Sequence, residues 1–221
     1  MDQKASNNAL PTEMRTERLI LRAANCNNDI DCARINYVRG KTVDGVSTAI
    51  TSDPNATREL QYKARAHGAR QELCTLAPAP DSIYWLFYLA SSADKPESEP
   101  SDLVGVICMS FREEMPYPDM GYITVAAHAG KGYAAEAGKQ LLHYWRDLVG
   151  VKEIFIACAS DNRPSQRCAE RIGFVHAGGI TVELGRPPEG KVEEDAVALV
   201  LPGMSWKDGV VISPWKGWPL D

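Results

Sequence analysis

Apolar positions along this chain fall into short runs separated by polar stretches rich in glycine and proline. Arg18 to Ala24 alternates and reads as a strand. Ser82 to Ala90 is a second strand, rich in aromatics, and Leu103–Arg112 and Asp119–Ala126 are two more, joined through Glu113-Glu114-Met115-Pro116-Tyr117-Pro118. Ile154–Ala159 is wholly apolar, the pattern of a strand buried on both faces. Val175–Leu184 and Ala196–Leu201 close the series, with Gly185–Asp195 as the loop between them. Helical spacing marks Asp29–Val38, which Asn28 is suited to cap, and Asn55 to Leu73, with Ala56, Leu60 and Ala64 along one side. Pro78-Ala79-Pro80-Asp81 ends that segment. Tyr133–Val149 carries Ala137, Leu141, Tyr144, Trp145 and Leu148 on one face. A last helix starts at Pro164 and stops at Gly173. Lys41 to Asp53 fits neither period.

These elements predict one mixed α+β domain over residues 13–203, preceded by a flexible polar terminus at 1–12. A tail at 204–221 follows, with Trp206, Trp215 and Trp218 pinning it. A length of 221 residues suits one well-buried core better than two. Ser91 to Asp102 is polar, holds two prolines and reads as a mobile extension of a hairpin rather than a boundary. The net charge of −5 argues against a nucleic-acid binder, which needs a basic stripe. Six scattered cysteines without C-x-x-C pairs argue against a disulfide framework and give no metal-ligand pattern, so no metal is expected. No apolar run approaches the roughly 18 residues that cross a bilayer. With no signal-type start either, a reducing cytoplasmic setting is expected.

Candidate chemistry concentrates in Gly130-Lys131-Gly132-Tyr133-Ala134-Ala135-Glu136-Ala137, between a strand and a helix. Two glycines let the backbone pass close to a ligand, and the unpaired first amides of a helix suit phosphate. Three motifs compete. A P-loop fails at Val125, where it needs glycine, and at Gly132, where it needs Ser or Thr. A dinucleotide fingerprint fits Gly130, Gly132 and Ala135. Its acidic partner, Glu153, then falls at the start of the next strand instead of its end. The third candidate is a coenzyme A diphosphate loop.

Four segments carry a resemblance that favours the third. They are Thr16-Glu17-Arg18-Leu19-Ile20-Leu21-Arg22, Leu103-Val104-Gly105-Val106-Ile107, the stretch from Gly121-Tyr122 to Glu136-Ala137, and Asn162-Arg163-Pro164-Ser165 running on to Gly173-Phe174. In order and spacing they resemble the GCN5-related N-acetyltransferase (GNAT) superfamily, in the branch of ribosomal-protein N-terminal acetyltransferases. The resemblance covers about Thr16 to Leu201.

The resemblance implies a mixed, mostly antiparallel sheet of six to seven strands flanked by helices, with one strand pair splayed to hold acetyl-CoA. Ile123, Thr124 and Val125 would line the pantetheine arm, with the amide of Val125 facing the reacting carbonyl. Backbone at Ala129, Gly130, Lys131, Gly132, Tyr133 and Ala134 would hold the diphosphate. Asn162 would reach the cofactor or a bound water, the reading we favour over a plain cap of the following helix, which Asn also suits. Ser165 stands where the branch places its candidate acid, while Ala169 occupies the position of the tyrosine that many members use. Ala127 stands where the family usually has Gln or Arg, and Ala129 where it often has Arg. The residues do not fix the general base: Glu183, Glu113, Glu114 and Asp119 are options, and a water chain could serve instead. The implied reaction moves an acetyl group to a primary amine, either a small molecule or a protein N-terminus, by direct attack in a ternary complex. The protein would be a monomer or homodimer without nucleic-acid or membrane partners. A non-catalytic acyl-CoA-binding or sensing module is the alternative, and a dinucleotide oxidoreductase a third reading.

Overall fold

The computed structural model describes residues 10–25, 31, 34–35, 38, 82–90, 102–111, 115–183, 193–207 and 209–212. Nine strands form one sheet: β1 (Glu13–Arg15), β2 (Leu19–Ala23), β3 (Ser82–Leu89), β4 (Leu103–Ser110), β5 (Asp119–Thr124), β6 (Phe155–Ala159), β7 (Val175–Glu183), β8 (Glu193–Val200) and β9 (Val210–Ile212). Their order is β1-β2-β3-β4-β5-β6-β8-β7-β9. Neighbours are antiparallel except β5 with β6 and β7 with β9. The chain passes from β5 to β6 through helix α1 (Tyr133–Leu142), the crossover a parallel pair requires. Helix α2 (Arg163–Ile172) links β6 to β7.

Alternation along the strands sorts side chains onto two faces. On one, Trp85, Phe87, Ile107, Met109 and Met120 pack beneath Ala137, Leu141 and Trp145 and against Ile172 of α2. Leu141 is fully buried, a contribution of roughly 1.5–3 kcal/mol. The opposite face is covered in two places. Ile35 and Val38, on helical backbone, meet Leu86 and Val106. Trp206 and Tyr117 cover Phe155, Ile180 and Val200.

The α+β class and the βαβ unit are as the residue pattern implies, but the sheet has more strands. The added ones are three-residue edge strands, β1 and β9, too short to show a period of two. β9 comes from the segment expected as a tail. Glu193 to Asp195, expected in a loop, already belong to β8. The helix expected over Tyr133–Val149 changes at His143 into a π-helix that ends at Gly150, with φ 93°. Adjacent Tyr144 and Trp145 are both buried there. The ambiguous segment at 41–53, the helix expected at 55–73, nearly all of the 91–102 extension, Trp215 and Trp218 lie outside the described residues.

Candidate active site

β5 and β6 start side by side and then part. Their ladder holds one pair, Asp119 with Phe155, closed by the Phe155 amide on Pro118 O at 3.0 Å. β5 stays paired with β4 along its whole length, from Ser110↔Asp119 to Gly105↔Thr124. A wedge therefore opens toward the C-terminal ends of β5 and β6, with the edge of β5 along one wall. In an antiparallel pair, alternate residues turn their backbone groups to the partner strand. The Val125 amide donates to Val104 O at 2.9 Å. The groups of Tyr122 and Thr124 consequently face the wedge. The Val125 amide, expected at the reacting centre, is here bonded to β4. Val125 and Ile123 also pack into the opposite core layer, which gives them a structural role as well.

Beyond β5 a short 3₁₀ turn (Ala126–His128) leads into the glycine loop. The Ala129 amide bonds Ala126 O at 3.1 Å and the His128 amide bonds Val125 O at 2.8 Å, so neither points freely at a ligand. The Ala129 amide, expected on a diphosphate, is thus used within the turn. Gly130 and Gly132 have φ of 75° and 82°, the left-handed region that glycine occupies without strain. Gly132 is the N-cap of α1, no side chain caps that end, and the first intrahelical bond is Glu136 to Gly132 O at 3.1 Å. The amides of Gly132, Tyr133, Ala134 and Ala135 precede it, and with the positive helix end they form an anion cradle. Lys131 is exposed beside it. His128 is half-buried, and burial, followed by the charge of Lys131, pushes its pKa below 6.5.

The floor of the wedge is polar. The Tyr122 hydroxyl donates to Ser165 O at 2.6 Å and accepts from Ser165 Oγ at 3.3 Å. Cys158 Sγ lies 3.2 Å from the same Oγ. Burial holds the Tyr122 phenol far above its ordinary pKa, so it keeps its proton. Burial likewise raises both thiols, Cys168 to about 11, which leaves them protonated and unreactive. Ala169 is fully buried. A phenol therefore enters this corner from β5 instead of from α2. Asn162 Oδ1 caps α2 by accepting the Ser165 amide at 3.1 Å, the structural alternative to the cofactor contact expected of it, and leaves its carboxamide nitrogen outside that bond. Glu183 ends β7 opposite Glu193 and lies three residues past Ile180, which is in register with Ala196 and through it with Ala159. That is the side on which the wedge opens. Glu113 and Glu114 lie outside the described residues.

Two residues of the site had no assigned role in the sequence. Tyr122 is one. Arg18 is the other: it reaches from the β1–β2 corner to Glu136 and to Lys131 O. Their partners lie 43 and 118 positions away, so no local pattern reveals them.

A family model, the acetyltransferase (GNAT) domain, matches residues 18–175. An N-acetyltransferase of Bacillus subtilis strain 168, YjdG, described as uncharacterized, is 33% identical over 57 residues, or 26% of this chain and 34% of that protein. The matched part thus spans about a third of this curated relative. A GNAT-family acetyltransferase from Bacillus anthracis superposes with a TM-score of 0.57 at 20% identity, covering 86% of this chain and 97% of that one. RimL, a ribosomal-protein alpha-N-acetyltransferase solved with coenzyme A, superposes with a TM-score of 0.56 at 15% identity, covering 87% and 98%. At such identities the structural likeness speaks for the fold.

Proposed function

The chain belongs to the GNAT acetyltransferase family and is an acyltransferase, and on that premise we propose that it carries an acetyl group from acetyl-CoA to a primary amine by direct attack in a ternary complex. The observation that carries this reading is the wedge. β5 leaves a backbone edge unpaired by β6 and runs straight into a glycine-built anion cradle. A pantetheine arm supplies the amides that complete such an edge, and a diphosphate suits the cradle. The donors are Gly132, Tyr133 and Ala134, with Gly130 giving the turn and Lys131 a nearby positive charge.

On this reading the thioester lies where β5 and β6 diverge. The amine nitrogen attacks the carbonyl carbon, and a C–N bond forms. The amide of Thr124, which faces the wedge, meets the oxyanion. The C–S bond then breaks. Ser165 Oγ relays a proton to the departing thiolate, held in place by Tyr122 and resupplied from solvent. The ammonium loses its proton to Glu183 or to water. The Asn162 carboxamide nitrogen orients the pantetheine or a water. The acceptor is a small amine or a peptide N-terminus, in keeping with the acceptor named for RimL.

Thiol release from acetyl-CoA, measured against a panel of polyamines, aminoacyl compounds and N-terminal peptides, tests this reading. Release that depends on one acceptor class is expected. Cofactor binding without release on any amine would count against it.

A further inference from the structure

Positions 127 and 129, where the resemblance implies Gln or Arg at the first and Arg at the second, are both alanine, so neither brings a side-chain cation to the cradle. A cation nevertheless reaches the loop from the other end of the chain. Arg18 Nε bonds Glu136 Oε2 at 2.7 Å, and Nη2 lies 2.6 Å from the same oxygen. The Arg18 main-chain amide bonds Glu136 Oε1 at 2.9 Å, an oxygen that Thr16 Oγ1 also reaches. Arg18 Nη1 donates to Lys131 O at 3.1 Å, and the guanidinium sits 4.7 Å from the centre of the Tyr133 ring. Arg18 itself stands on a rigid corner. Its carbonyl accepts the Ala90 amide at 2.8 Å, and Thr16 and Leu19 are bonded to each other beside it.

We infer that Arg18 is a positioning residue for the coenzyme loop, which it locks into binding form through Glu136 and the Lys131 carbonyl. The inference rests on the proposed use of the loop as a diphosphate cradle. Two facts favour positioning. Each of the three guanidinium nitrogens has a protein partner, so three of its five N–H donors are spent on Glu136 and the loop carbonyl. The carbonyl of Lys131 and the amide of Gly132 belong to one planar trans peptide, in which they point in opposite directions. Holding that carbonyl on Arg18 therefore turns the Gly132 amide outward, into the cradle. Glu136 in turn anchors the first turn of α1. Burial opposes its ionisation, but the bonds from Thr16 and Arg18 outweigh this and keep the carboxyl below its ordinary pKa of 4.5. It is ionised at neutral pH, and the clamp is closed before any ligand arrives.

The test uses the full-length protein and its Arg18→Gln, Arg18→Lys and Glu136→Gln variants. Calorimetric titration with acetyl-CoA gives affinity, steady-state kinetics separates KM from kcat, and hydrogen exchange of the 130–135 amides in the free protein reads loop order directly. Arg18→Gln should raise Kd and KM about tenfold, leave kcat within about threefold, and speed exchange in the loop. Arg18→Lys keeps the charge but loses the planar fork, and it should not rescue. Glu136→Gln should also weaken binding. Three results would overturn the inference: tighter binding in Glu136→Gln, full rescue by lysine, or unchanged loop exchange in Arg18→Gln. The first two would make Arg18 a simple attractor of phosphate. Failure of the unaltered protein to bind acetyl-CoA would instead defeat the proposed cofactor, while the exchange measurement would still decide the clamp.

Discussion

Ser165 and Asn162 share one helix start but serve different ends, and substitutions separate them. Asn162→Ala removes the cap of α2 and should cost about 1 kcal/mol, a fall of roughly 2–4 °C in Tm for a domain of this size. Asn162→Asp keeps an oxygen for the Ser165 amide and loses the carboxamide nitrogen. It should hold Tm while lowering turnover if that nitrogen orients the cofactor. Ser165→Ala leaves the cap untouched, and its kcat should fall on the order of a hundredfold if its hydroxyl relays the proton. A melting curve and a thiol-release assay on the three variants check both expectations. Ser165 stood out only through the resemblance, whereas the cap at Asn162 was legible because Asn precedes a proline-marked helix start. Tyr122 was not, since a tyrosine in a strand reads as core until the register shows its hydroxyl crossing to Ser165. Val125 illustrates the reverse limit: only the pairing shows that its amide is spent on Val104.

At the scale of elements, the strand–loop–helix unit builds the proposed cofactor site. Its glycines, its strand pattern and its helix face were all visible in the sequence, because each is a local device. The parting of β5 from β6 was not visible in the residues themselves. Both strands are apolar, and nothing local says that a ladder stops after one pair; only the resemblance implied it. Gly132→Ala tests the turn. A left-handed φ costs a non-glycine residue roughly 1–2 kcal/mol, and the new methyl would sit 3.6 Å from Arg18 Nη2, an ordinary contact. The backbone and not a clash should therefore carry the effect. Expected outcomes are a modestly lower Tm and a several-fold weaker affinity for acetyl-CoA, read by melting and titration.

Across the whole molecule, one sheet carries two core layers, and β4 runs between them. Gly105 marks the tightest point of contact. An added Cβ there would lie 2.3 Å from Ile123 O and 2.4 Å from Phe87 Cζ. The carbonyl belongs to β5 and cannot move without shifting the strand that borders the wedge. Gly105→Ala should lose about 1–3 kcal/mol of stability by overpacking, and denaturant unfolding would show it. Gly138 is crowded too: an added Cβ would lie 2.4 Å from Ile172 Cδ1 and 2.7 Å from its Cγ1, on a buried, β-branched side chain of α2. The general plan of the fold followed from strand and helix periods. The edge strands, the π-helical turn and the clamp from Arg18 to the loop did not, since all three depend on partners distant in sequence. The central claim is that the wedge and its cradle hold acetyl-CoA, and calorimetric titration of the unaltered protein with acetyl-CoA tests it most directly. The account predicts saturable binding of one acetyl-CoA per chain with a Kd between about 1 μM and 1 mM, the ordinary range of enzyme KM values. No heat of binding up to millimolar acetyl-CoA, with the protein folded, would contradict it.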